Sequence, residues 1–467
     1  MDVWARFLQV GGFVALALTL IACLVLEGED GLSFARSAYI VANALIFLFV
    51  ILSSRRGGVS LLVAFFFLFF VAVPANLQIE RSSFPWQSTY GPEIVQGYVV
   101  LSLAQCAYIL GEWWIDSRMK YRTTRTATTP LNPHLYWRAV ALILIASLAI
   151  AAAVGPSRLF LNREERSLDF ASSEESWEQL LFIGRSISLL GAVICVYLLA
   201  NHRPSRKPRY LLLTTLSIFT CVVLNWPLGL PRFQLLGAIL ALTAAATSFF
   251  QTRWKLLFGM TAPVFLFFFF PAIKALGYGT GVDISQAISR DVEAYLLRVD
   301  FDGFKQIIDT WIYTQTNPLR YGENFLGVAL FWVPRSLWPS KPIDSGEIVS
   351  STLGYRYTNV SNPLPAEALI SFGFPGVIIV LLVLGVLVSY VEGLSRDAFS
   401  RRILSQSAIL AALLMGYIVI ILRGALNGVA PMFLSGFLLF ALLVIMNRGS
   451  EKRRLGNDQS SPQMRRP

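Results

Sequence analysis

Long apolar stretches separated by short polar ones organise the chain from end to end. Each run is about 17–20 residues, enough to cross roughly 30 Å of hydrocarbon as a helix. The pattern predicts membrane helices over 7–26, 37–53, 59–76, 95–115, 136–155, 178–200, 211–227, 233–250, 256–273, 375–392, 405–422 and 433–447. The rhythm breaks once, over 274–374, where no clean span occurs. The expectation is an all-α, polytopic membrane helical bundle of about 12 transmembrane helices. A single membrane domain covers 1–447 and carries one large outer loop. The polar tail 448–467, with Gly, Ser, Pro and Arg, reads as disordered.

Composition fits this pattern. The chain is 55% hydrophobic and 14% charged, where a soluble chain carries about 25% charged residues. Cys23, Cys106, Cys195 and Cys221 all lie in apolar runs and read as small packing residues, with no disulfide framework or metal site among them. The first apolar run lacks a small-residue cleavage pattern and reads as a retained helix.

The formal charge of +11 acquires meaning from its distribution. An even number of spans puts both termini on one side. With that side cytoplasmic, the inward segments hold 23 of the 39 Lys and Arg but only 7 of the 28 Asp and Glu. Every short inward loop is then basic, as the positive-inside rule requires. The excess charge is a topology signal facing anionic lipid, and it does not call for nucleic acid.

Within the outer loop, Ile288, Val292, Tyr295, Leu296, Val299, Phe304, Ile307, Ile308 and Trp311 recur at helical spacing, with Asp291, Arg298, Asp302, Lys305 and Asp309 largely between them. This predicts an amphipathic helix, lying on the outer interface or packing on the bundle. The run from Phe325 to Val333 is too short to span and suits a re-entrant or interfacial segment. It leads into Pro334-Arg335-Ser336-Leu337-Trp338-Pro339-Ser340-Lys341-Pro342. Three prolines stiffen this turn, and Arg335 and Lys341 make it either a phosphate cradle or an interfacial anchor. Tyr355, Tyr357, Asn359 and Asn362 follow, of types that suit sugar hydroxyls and polar loops alike. Glu367, just before the tenth span, is placed either for general-base chemistry or for capping a helix N-terminus.

Further cations sit toward the outer half. Arg185 lies inside the sixth run, roughly 10 Å below its outer edge. A cation at such depth is functional or paired. Arg232 follows the Asn225-Trp226-Pro227 turn, and Arg423 opens the last outward turn. The two histidines, His134 and His202, both fall in inward loops. An outer-face base must therefore be a carboxylate, and electrophilic help must come from Arg or Lys.

These residues carry a family resemblance. The string Val333-Pro334-Arg335-Ser336-Leu337-Trp338-Pro339-Ser340-Lys341-Pro342 is its most specific part. Asp300-Phe301-Asp302, Tyr321-Gly322, Glu367, Gly373-Phe374-Pro375-Gly376, and the Arg232 and Arg423 turns add to it. Together they resemble the Wzy-type O-antigen polymerases, the oligosaccharide repeat-unit polymerases of bacteria. Arg335 and Gly346 also match the Arg-x10-Gly spacing of some members. The first 175 residues are similar only in topology.

The resemblance implies a GT-C-like glycosyltransferase at the periplasmic face of the bacterial inner membrane, with both termini cytoplasmic. Its substrates would be undecaprenyl-diphosphate-linked oligosaccharides, joined into O-antigen or exopolysaccharide. A flippase and a chain-length regulator would be partners. The expected chemistry follows from the leaving group. Diphosphate leaves readily once its charge is neutralised, so the expected diphosphate-binding residues are Arg335, Lys341, Arg232, Arg185 and Arg423. Glu367 is the first candidate base and Asp302 the second, with no cofactor or metal called for. An O-antigen ligase, a lipid-linked oligosaccharide flippase or transporter, and a scaffold in a polysaccharide complex are the alternatives. The ligase reading suffers from the missing outer histidine. The transporter reading suffers from spans that are mostly free of charge apart from Arg185.

Overall fold

Among the described residues ten helices are long and apolar enough to cross a membrane, which makes this a multi-pass membrane protein. The computed structural model describes all residues except 1, 27, 88–89, 123–130, 163–164, 166–175, 248–250, 272–290 and 461–467. In chain order the principal helices are α1 (Asp2–Val25), α2 (Gly28–Leu52), α3 (Gly58–Glu80), α4 (Glu93–Arg122), α5 (Pro133–Val154), α6 (Ser176–Asn201), α7 (Pro208–Leu224), α8 (Arg232–Ala246) and α9 (Thr252–Val264). They continue as α10 (Gly303–Thr316), α11 (Glu323–Ala329), α12 (Ser345–Thr352), α13 (Leu364–Ser400), α14 (Gln406–Arg423) and α15 (Leu426–Ser460).

Two of the twelve expected spans are not among the ten. The stretch expected over 233–250 forms α8, whose 15 residues reach only about 22 Å, short of the hydrocarbon thickness. The stretch expected over 256–273 begins as α9, with Arg253 and Lys255 in its first turn and Pro263 near its end, and continues as a π-helix, Phe265–Phe269. A second π-helix, Phe66–Ala72, lies inside α3 just before Pro74. Proline supplies no backbone N–H, so a local change of winding beside it is the expected response. Helix α15 runs on through Ser460 into the expected tail, and 461–467 lie outside the described residues.

The buried apolar side chains form two main clusters. One joins α1–α4, α10 and α13, and the other joins α5, α6, α8, α14 and α15. The α4–α13 contact is backbone against backbone. A Cβ on Gly111 would stand 2.2 Å from the Leu382 carbonyl oxygen, and one on Gly385 would stand 2.1 Å from that of Tyr108. Small residues permit such close approach where apolar burial gives helices little reason to associate. Helix α13 is interrupted at Gly373, whose φ of 66° and ψ of −158° are non-helical. Only glycine holds such a conformation without strain. Glu367 therefore stands on a separate helical half, ahead of the part that was expected from the apolar run.

The amphipathic pattern of the large loop resolves into a turn of helix at Val292–Leu296, a 3-10 turn at Val299–Phe301, and α10. Ile288 lies outside the described residues. Helix α10 packs on the bundle and is covered on both faces. Phe304, Ile307 and Ile308 are buried on one side, and Lys305, Gln306, Asp309 and Thr310 on the other. Lys305 pairs with Asp309, which also accepts from the hydroxyls of Tyr90 and Tyr355.

At the far end of the bundle a second polar centre is closed upon itself. Arg56 donates to Asp116 at 3.0 Å and Ser389 at 3.0 Å, and lies 3.3 Å from Glu112. Glu392 accepts from the Gly57 and Ser60 backbone N–H groups at 2.8 and 2.9 Å, and from the Ser60 hydroxyl. Lys255 donates to the carbonyls of Val50, Ser53 and Arg56. The expectation of spans without charge apart from Arg185 thus needs correction. Glu112 and Glu392 are both buried on spanning helices, each near the end of its apolar run.

Candidate active site

The end of the bundle that carries α10–α12 encloses a cavity of about 830 Å³. Its wall draws on segments far apart in sequence. Arg185 comes from the middle of α6, Arg232 from the first residue of α8, and Arg423 from the last turn of α14. Asp300 and Asp302 come from the turn before α10, and Trp86 and Tyr357 from two loops.

Arg232 is the most tightly held of the three cations. It donates to Asp300 Oδ1 at 2.6 Å and to the Phe270 carbonyl at 3.0 Å, with its guanidinium 4.5 Å from the centre of the Phe270 ring. Pro231 sets where α8 begins and so places Arg232 at a helix N-terminus, where the helix dipole itself favours anions. Arg185 donates from Nε to the Leu224 carbonyl at 3.2 Å and lies over Phe182. Arg423 is held more loosely. Its contacts to the Val299 and Asp300 carbonyls are 3.4 Å, and the one to Asp302 Oδ1 is 3.5 Å. Its guanidinium stands 4.7 Å from the centre of the Phe233 ring.

Asp302 is buried, accepts a 2.6 Å bond from the Ser361 hydroxyl and faces Arg423. Burial raises its pKa above the ordinary carboxyl value, against the opposing pull of Arg423, Ser361 and Lys305. A carboxyl raised in this way is better matched to taking a proton near neutral pH than an exposed one. Trp86 and Tyr357 stack at 5.2 Å with 23° between their planes, and the Trp86 indole N–H has no partner among the described residues. A flat aromatic wall suits the face of a sugar ring.

The structure thus brings four of the seven expected site residues, Arg185, Arg232, Arg423 and Asp302, to one cavity. The other three stand elsewhere. Arg335 donates to the Lys341 carbonyl at 2.8 Å, and the Lys341 ammonium donates to the carbonyls of Phe331 and Val333 at 2.7 and 2.9 Å. Both cations of the proline-rich turn thus bond its own backbone, and neither lines the cavity wall. Glu367 is fully buried, not at an open helix mouth. It accepts from Ser345 Oγ at 2.6 Å, Asn324 Nδ2 at 3.1 Å and the Leu426 backbone N–H at 2.7 Å. It caps a helix, but that helix is α15, the last one, and not its own. Asn362 belongs to the same buried network through Ser345 and Thr310. Among the described residues no group of three His, Cys, Asp or Glu side chains is placed to hold a metal ion.

Asp344 was not picked out from sequence, and neither was Trp86. Asp344 lines the cavity beside Gly428. Burial and the neighbouring Glu347 push its carboxyl up to about 6, with the Gly428 N–H and Arg335 opposing. A carboxyl that binds its proton more tightly when folded stabilises the fold at low pH, and that contribution is lost as pH rises through about 6. Asp344→Asn should therefore flatten the decline in thermal stability between about pH 4 and 7. An unchanged decline in a thermal melt series would show that Asp344 does not cause it.

No family model, curated protein or solved structure matches the chain. The functional reading therefore rests on the cavity and on the sequence resemblance.

Proposed function

We propose that the chain is a membrane glycosyltransferase that polymerises lipid-diphosphate-linked oligosaccharide repeat units, working at the periplasmic face of the bacterial inner membrane. The observation that carries this reading is the meeting of Arg185, Arg232 and Arg423 with the buried carboxyl of Asp302 in one cavity. Diphosphate oxygens would lie against the three guanidinium groups. The acceptor hydroxyl attacks the anomeric carbon and passes its proton to Asp302. The bond from that carbon to the diphosphate oxygen breaks, and the electron pair leaves with the diphosphate, whose charge the arginines neutralise. Trp86 and Tyr357 would carry a sugar ring beside the reacting atoms. Glu367 fixes the start of α15 and hence the Arg423 turn before it. The orientation rests on the basic inward loops.

The flippase alternative requires a polar headgroup to cross the bundle. The chamber next to this cavity, toward the opposite end, is lined almost wholly by apolar side chains, which offer nothing to a sugar in transit. The test is extension of a purified lipid-linked repeat unit by the purified protein in vesicles. A ladder of polymers on a gel is expected. Movement of the unit across the bilayer without extension would establish the flippase in its place.

A further inference from the structure

Next to the polar cavity lies an apolar chamber of about 310 Å³ between α3, α8, α9 and α14. The two share a wall at Phe233. On the polar side, the Phe233 ring stacks beneath Arg423. On the apolar side, it packs 5.6 Å from Phe70, which sits in the π-helical part of α3. The chamber runs down α8 from Phe233 past Leu236 and Gly237 to Leu240, a length of about 11 Å. At its floor α8 and α14 meet backbone to backbone. A Cβ on Gly237 would stand 2.1 Å from the carbonyl oxygen of Gly416, and both glycines line the space. Its outer mouth lies between Ile239 and Thr261, both exposed on the bundle surface.

A cationic cavity and an apolar chamber that share Phe233 in their walls together suit an amphiphile. We infer that the chamber holds the hydrocarbon chain of one lipid-linked substrate, whose diphosphate lies at Arg232 and Arg423. This rests on the glycosyltransferase reading for the identity of the headgroup. It rests on the shared Phe233 wall for the path of the chain. The π-helix inside α3 and the one that follows α9 shape the chamber from two sides through Phe70 and Phe265. Burying methylene groups there rewards an isoprenoid chain over a truncated one.

The test uses the full-length protein in vesicles with a polyprenyl diphosphate bearing a diazirine in its chain. Phosphatidylglycerol with a diazirine in its acyl chain serves as the comparison. Cross-links from the polyprenyl probe should map to 236–240, 258–266 and 415–419 and be displaced by unlabelled polyprenyl diphosphate. Plugging the chamber by Ala262→Trp, or more gently by Val419→Phe, should remove them. In transfer assays the same substitutions should shrink the KM preference for a long-chain over a short-chain donor by about tenfold. Labels spread over all lipid-facing helices would overturn the inference, as would equal labelling of the chamber by phosphatidylglycerol. Chamber labelling without any sugar transfer would uphold the chain site and overturn the reaction assigned to it.

Discussion

Asp302→Asn should lower chain extension by at least about a hundredfold, the usual worth of a positioned base, while leaving a folded protein. The asparagine keeps an oxygen to accept from Ser361 and Arg423 and removes the burial cost of a charge, so the melting temperature should hold or rise. In the wild type the extension rate should climb as pH rises through the elevated pKa of Asp302, because the base works only once its proton is lost. Asp302→Glu should move that limb. Glu367→Gln serves as the contrast. It weakens a buried cap made of three hydrogen bonds, so it should lower stability without moving the pH profile. Wild-type polymer lengths from Asp302→Asn would remove Asp302 from the mechanism.

Arg232→Ala should be the most damaging single change to the fold at this end. It strips a buried Asp300 of its 2.6 Å guanidinium partner and leaves the Phe270 carbonyl without that donor. Breaking a buried pair from one side costs about 3–5 kcal/mol, so low yield and early thermal unfolding are expected. Arg232→Gln with Asp300→Asn replaces the ion pair by a neutral one and should recover the fold. Extension should stay lost, because the positive charge that neutralises the leaving diphosphate is gone. Recovered extension in the double variant would show that Arg232 serves only to hold Asp300.

How much of this could be read from the chain depends on the range of the forces involved. Apolar runs report spanning helices because each must satisfy its own backbone in lipid, and deep cations such as Arg185 stand out against them. Arg232, Arg423 and Asp302 were legible as candidates from their positions beside prolines, glycines and helix ends. Partners were not legible. The three groups that hold Glu367 lie 22, 43 and 59 residues away. Helical periodicity in α10 marked its apolar face correctly but could not show that its polar face is covered too. The backbone carbonyls that Arg335 and Lys341 bond gave no sign, because a sequence lists charges without their partners. Trp86 gave little signal beyond standing in a proline turn, and its part in the cavity depends on Tyr357 arriving from 271 residues further along the chain.

The network of Arg56, Glu112, Asp116 and Glu392 ties α3, α4 and α13 together at one end of the bundle, while Arg423 at the other end has polar contacts of 3.4–3.5 Å and the Phe233 ring beneath it. Side chains from three spanning helices therefore fasten one end, while at the other end the Arg423 guanidinium keeps long contacts only to its polar partners. On the glycosyltransferase reading proposed above, small shifts of that one side chain would let the site take up and give up a diphosphate while the helices keep their spacing.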